Sequence, residues 1–295
     1  MLRLSHYFVF TGIVAVVLAL FGYVLAFASV RVARARVLAA EGVGEGGVEV
    51  DFAEVPRGVA GFATLTTWLA LAFLTAALVC RAIATGHGPF ANMYEFSIAF
   101  AWGALVVHVY FMRRFRQWAT ATIVLLVALG MLLYATTVPS GAEPLVPALQ
   151  NNLLLTVHVA VAVVAYGAFA VGFAAAVLYL VQSGSLKRWF LPRPQVLDEL
   201  SYKATLVGFP FLTLTIVLGA VWADIAWGRY WSWDPKETAS LVTWIVCGAY
   251  LHARSARGWR GRRAALLLML VFAATLFTYF GNLFFGGLHS YGKVS

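Results

Sequence analysis

Charge is what this chain has least of. Asp, Glu, Lys and Arg together make up 11% of its 295 residues, against about a quarter in soluble domains. Hydrophobic residues make up 62%, more apolar surface than a chain of this length can bury in water. The mean hydropathy of +0.85 therefore points to lipid as the solvent. Cysteine is equally scarce. Cys80 and Cys247 stand singly inside apolar runs, with no Cys-x-x-Cys pair. That pattern gives thiol redox chemistry and zinc ligation no support, and reads both as small apolar filler. Acidic residues are outnumbered 12 to 21 by basic ones, for a net charge of +9. In a membrane protein such an excess marks cytoplasmic loops, so the basic balance requires no nucleic acid.

What is present is apolar sequence in long runs. Eight of them predict bilayer-crossing helices near 7–29, 62–84, 94–112, 118–138, 153–181, 204–222, 238–253 and 264–283. Helices are required because backbone groups in hydrocarbon must satisfy one another within a segment. The first run lacks a clear small-residue cleavage site and reads as a retained span. The seventh is short and carries Trp244 and His252, so topology supports it more than composition does. With the N-terminus outside, the inner loops collect sixteen of the 21 Lys and Arg, in groups around 31–57, 113–116, 187–203 and 254–263. Arg3, Arg81, Arg229, Lys236 and Lys293 fall outside. The asymmetry supports both the count of eight and external N- and C-termini. Residues 41–54 are Gly-rich and acidic and read as a flexible inner linker. No internal repeat or sizeable soluble domain is evident.

The unusual residues share the outer side. Trp222, Trp227, Tyr230, Trp231, Trp233 and Asp234 fall in one polar interruption between apolar runs, 222–238, which holds four of the ten Trp. An aromatic belt would spread such rings over many helix ends. Concentrated here, flat amphipathic rings make a platform for a large flat ligand such as a porphyrin. His158, near the outer end of the fifth span, and His289, beyond the eighth, flank this stretch. Such a pair suits axial ligation of a haem iron from both faces; the plainer reading of either is an interfacial hydrogen-bonding residue. Asp234, Pro235 and Glu237 have the spacing of an N-cap, first-turn proline and capping box opening the seventh helix. Asn92 and Glu95 start the third span in the same way, His87 lies in the loop before it, and His6 and His108 have no chemical company. His252 stands at the inner end of the seventh span, as a functional group within the membrane or as a snorkelling interfacial residue.

The stretch Trp227-Gly-Arg-Tyr-Trp-Ser-Trp-Asp-Pro-Lys-Glu-Thr238 resembles the tryptophan-rich (WWD) signature of the haem-handling superfamily of cytochrome c maturation. Its Asp-Pro-Lys-Glu-Thr ending resembles the CcsA (ResC-like) branch of system II. Asn92-Met-Tyr-Glu95, His158, Tyr250-Leu-His252-Ala-Arg254 and His289-Ser-Tyr-Gly292 extend the likeness over about residues 85–293. The resemblance implies an all-α polytopic membrane bundle that holds haem b on its external, periplasmic or luminal, face. His158 and His289 would ligate the iron there, with Trp222, Trp227, Tyr230, Trp231, Trp233 and Asp234 beside it. The haem would be presented to the Cys-x-x-Cys-His motif of apocytochrome c for thioether attachment, as part of a haem lyase complex. His252 would ligate haem at an inner site on a route outward, completed by a histidine of a CcsB-like (ResB) partner. That partner is expected as a separate chain, since the eight spans occupy the sequence. Thiol-reducing proteins and the lipid bilayer complete the expected partners, in a bacterial inner membrane or a thylakoid. The implied organisation is residues 1–60 as first span and linker, and 61–295 as the haem-handling domain.

Three other functions compete. A CcmC-type protein would pass haem to a chaperone; eight spans and the Asp-Pro-Lys-Glu-Thr ending argue against it. A membrane haem electron carrier would prefer His pairs on facing helices inside the bilayer, and His252 has no such partner in the sequence. A transporter of another solute would carry charges near midplane, which the spans nearly lack.

Overall fold

A computed structural model describes residues 1–41, 56–115, 117–141, 152–183 and 191–289. These residues form eight helices and no strand: α1 (Leu2–Glu41), α2 (Arg57–Thr85), α3 (Met93–Phe115), α4 (Ala121–Ala135), α5 (Asn152–Gln182), α6 (Pro194–Trp227), α7 (Pro235–Ala256) and α8 (Arg262–Phe284). Six are long and apolar enough to cross a membrane. α4 is apolar but has 15 residues, fewer than the ~20 that span hydrocarbon unaided. α7 has 22 residues, yet Lys236, Glu237, His252 and Arg254 dilute its apolar character. The molecule is an all-helical polytopic membrane protein.

The helices differ from the expected spans mainly at their ends. α1 continues to Glu41, so the first part of the expected linker is helical; 42–55 lie outside the described residues. α2 starts at Arg57, so the boundary expected at residue 60 falls in its first turn. α6 runs from Pro194 to Trp227. Trp222 and Trp227 are therefore helical, and the non-helical stretch expected over 222–238 shrinks to 228–234. No Pro and no left-handed residue interrupts 211–227, and α6 stops only where Gly228 takes φ 72°.

α5 is the central helix. It packs along α6 and also touches α3, α4 and α8, while α1 lies on α2 and α4. The α3–α5 crossing is close because both faces carry glycine: a Cβ on Gly167 would stand 2.5 Å from the Gly103 carbonyl oxygen. Side-chain hydrogen bonds fix neighbouring helices where lipid offers no alternative partner. Trp244 Nε1 donates to Thr213 Oγ1 at 2.9 Å, Ser97 and Tyr279 share one at 2.7 Å, and Thr243 and Thr278 share one at 2.9 Å. Each contributes about 0.6–2 kcal/mol in a bilayer.

Candidate functional site

The start of α7 is built by its own sequence. Asp234 Oδ1 accepts from the Lys236 N–H at 2.9 Å, and Glu237 Oε2 accepts from the Asp234 N–H at 3.2 Å, which is the expected capping box. Glu237 Oε2 also accepts from the Ser232 N–H at 2.7 Å, tying the short loop to the helix. The Asp234 carboxylate then reaches beyond its own helix. It accepts from the Leu288 N–H at 2.6 Å and from His289 Nδ1 at 2.8 Å. One residue thus caps α7, anchors the chain after α8 and orients an imidazole.

Electrostatics follow from these contacts. Burial alone would raise the Asp234 carboxyl, but hydrogen bonds from His289 and the backbone N–H groups of Lys236 and Leu288 hold it at about 2. Burial pushes His289 below the ordinary imidazole value, with Asp234 opposing the shift. At neutral pH the pair is a carboxylate and a neutral imidazole donating through Nδ1. That is the arrangement in which a ligating histidine is held by an outer carboxylate.

His158, on α5, is oriented separately. Its Nδ1 donates to the Thr215 carbonyl of α6 at 2.9 Å, which fixes the tautomer with Nε2 as the basic nitrogen. Gly219 makes room for the ring, since a Cβ there would lie 2.8 Å from His158 Cε1. His158 and His289, 131 positions apart in sequence, line one cavity.

The tryptophan-rich segment divides around this cavity. Trp222, Tyr230 and Trp231 line it. Trp227 stands behind, edge-on to Trp222 at 4.8 Å and to His289 at 4.9 Å between ring centroids. Trp233 does not line the cavity. Its backbone is left-handed, φ 59°, its ring is 69% exposed, and it meets Trp231 edge-on at 5.8 Å. His252 lies elsewhere, exposed near the far end of α7. The structure therefore brings His158, His289, Asp234, Trp222, Trp227, Tyr230 and Trp231 together, sets Trp233 at the rim and keeps His252 apart.

Sequence reasoning missed the opposite wall, where Phe90, Asn92, Met93 and Phe96 line the cavity. This segment is held by a second cap: Asn92 Oδ1 accepts from the Glu95 N–H at 3.0 Å, and Glu95 Oε2 from the Ala91 N–H at 2.6 Å. Glu95 also pairs with Arg81 of α2, both side chains 1% exposed. Arg81 Nη2 donates to the carbonyls of Ser140 and Gly141 at 2.8 and 2.7 Å. A lone Arg near the end of an apolar span was the available signal, since burial there demands a partner. His87 forms a local contact, Nδ1 to the Gly88 carbonyl at 2.8 Å.

Residues 90–289 match the family model described as cytochrome C assembly protein. The chain is 39% identical over 257 residues to the cytochrome c biogenesis protein CcsA of Guillardia theta, covering 78% of this chain and 85% of that protein. It is 36% identical over 288 residues to CcsA of Gloeobacter violaceus, covering 77% and 85%. The solved cytochrome c haem lyase CcmF shares the fold, with TM-score 0.62 and 23% identity over 95% of this chain. The chain spans 46% of that longer protein. These matches and the cavity's lining agree in extent, and the chain belongs to the cytochrome c assembly family, within its CcsA members.

Proposed function

We propose that this chain, whose family places it in cytochrome c maturation, holds haem b in the cavity between His158 and His289 and presents it to apocytochrome c. The observation that carries the reading is the pair of imidazoles lining one cavity, one on α5 and one in the segment after α8, each with Nδ1 engaged by an acceptor. A bis-imidazole site for iron needs that orientation. Trp222, Tyr230 and Trp231 border the porphyrin, Trp227 backs His289, and Trp233 covers the outer rim.

The haem supplies vinyl groups, across which the Cys thiols of an acceptor's Cys-x-x-Cys-His motif add to form thioethers. The chain's own residues supply position. Asp234 and Thr215 hold the imidazoles, and the aromatic wall excludes water and limits rotation. Proximity of this kind can be worth ~7–11 kcal/mol. Cys80 is only half-buried and Cys247 is buried in the bundle; neither lines the cavity, so the thiols come from the acceptor and are kept reduced by separate thiol-reducing proteins. The distribution of Lys and Arg supports a cavity on the periplasmic or luminal face, with both termini on that side. The haem-handling unit is 61–295, with 1–60 an added span and linker. His252, exposed on α7, serves an inner site completed by a CcsB-like subunit, from which haem moves outward.

The test is holocytochrome formation with His158→Ala and His289→Ala. Each abolishes it while the protein still inserts, and added imidazole restores it. Trp231→Ala lowers haem retention and is not rescued, because an exogenous ligand replaces a missing ligand and not a missing wall. Normal cytochrome from both histidine variants would sink the reading.

A further inference from the structure

The cavity's polar lining is uneven. Among the described residues lining it, Lys236 is the one Lys or Arg. It stands on the first turn of α7, its ammonium over the Phe96 ring at 5.1 Å from the centroid, a cation–π contact that supplies no counter-charge. No carboxylate among the described residues lies within ion-pair distance of it. The two acids beside it in sequence are engaged elsewhere. Asp234 serves His289, Leu288 and the α7 backbone, and Glu237 Oε2 serves the Ser232 and Asp234 N–H groups. A second cavity-lining donor is also unmatched. Trp222 is 2% exposed and its Nε1–H has no hydrogen-bond partner.

Buried donors are nearly always satisfied, and a cation in an apolar wall is costly unless something answers it. The ligand must therefore bring acceptors, and beside Lys236 a negative one. The leftover acceptor, Glu237 Oε1, repels a carboxylate from its own side and leaves the ammonium as the place where one is stabilised. We propose that Lys236 anchors a carboxylate of the bound ligand and makes the cavity select a carboxylate-bearing tetrapyrrole over a neutral one. This rests on the haem reading above and adds the anchor that sets the ligand's rotation about the iron. His158 and His289 fix the porphyrin's normal. A cation at one point of its edge fixes which edge faces α7, and so which vinyl edge faces away.

The test titrates the purified full chain in detergent with iron protoporphyrin IX and with its dimethyl ester, following the Soret band. The wild-type protein is expected to hold the free acid roughly tenfold more tightly than the ester, as one charge-assisted hydrogen bond allows. Lys236→Gln removes the preference by weakening the acid and leaving the ester unchanged, which also shows that the variant is folded. Lys236→Arg keeps the preference. A preference that survives in Lys236→Gln, or its absence in the wild type, overturns the anchor alone. Binding of neither form by the wild type overturns the haem reading and the anchor together.

Discussion

At the cavity end of the bundle, the buried carboxylates include Glu95 and Asp234, and each accepts from donors of other segments. At the far end of α6, α7 and α8 the corresponding residue is Asp198. It accepts from Arg254 Nη1 at 2.6 Å and from the Gly261 N–H at 3.0 Å, but its side chain is 13% exposed. Basic residues crowd the nearby surface, Arg257, Arg260, Arg262 and Arg263 among them. One end is a closed polar frame around a cavity. The other is an exposed, cationic surface clamped through Asp198, and His252 lies exposed beside it.

The largest expected effect lies in that contrast. Arg81→Ala leaves Glu95 charged and buried and is expected to cost about 3–5 kcal/mol, read by thermal unfolding in detergent. Arg254→Ala lets water reach Asp198 and is expected to cost about 1.5–3 kcal/mol. Equal losses would mean that the two ends are not built differently.

Asp234→Asn sharpens the comparison within the cavity end. Asn caps as well as Asp, so helix stability is expected to change by less than about 0.5 kcal/mol. Loss of the charge facing His289 is expected to weaken haem retention about 10–100-fold. The pH dependence separates the two groups. Below the ordinary imidazole value of 6.5 the unfolded chain binds a proton at His289 that the folded protein resists, so stability declines as pH falls. A second decline comes as pH drops from about 4 toward 2, where Asp234 is protonated in the folded protein. Asp234→Asn is expected to lose the second decline; a curve identical to wild type would break the assignment.

The smallest effect concerns the rim. Trp231→Ala removes a cavity wall and is expected to lower haem retention. Trp233→Ala is expected to change stability by no more than about 0.5 kcal/mol and retention less than Trp231→Ala does. Trp233→Gly is expected to stabilise by about 1 kcal/mol, because glycine takes φ 59° without strain. Calorimetry and Soret titration together decide; a larger loss at Trp233 than at Trp231 would reverse their roles.

Features with a local period were legible in the sequence. Apolar runs of bilayer length gave the helices, Asp-Pro-x-Glu gave the α7 cap, and helix alternation put His158 and His289 at one end. Contacts across the chain were not. Asp234 reads as a cap because capping is a three-residue matter, whereas its bond to His289 joins positions 55 apart. Arg81 counted only as an outer charge, because its Glu95 partner lies on the next helix. Trp222 and Trp227 looked like loop residues because aromatic and polar residues mix there, yet nothing stops α6 before Gly228.

The tie from Asp234 to the segment after α8 also orders events in time. Asp234 leaves the ribosome before any of α8 exists, and chains emerge N-terminus first. Its carboxylate meets Leu288 and His289 only when α8 is in the bilayer and the chain has turned back. Until then one wall of the cavity and one oriented imidazole are missing. A nascent chain therefore lacks the finished cavity, whose last wall is set only when membrane insertion is complete.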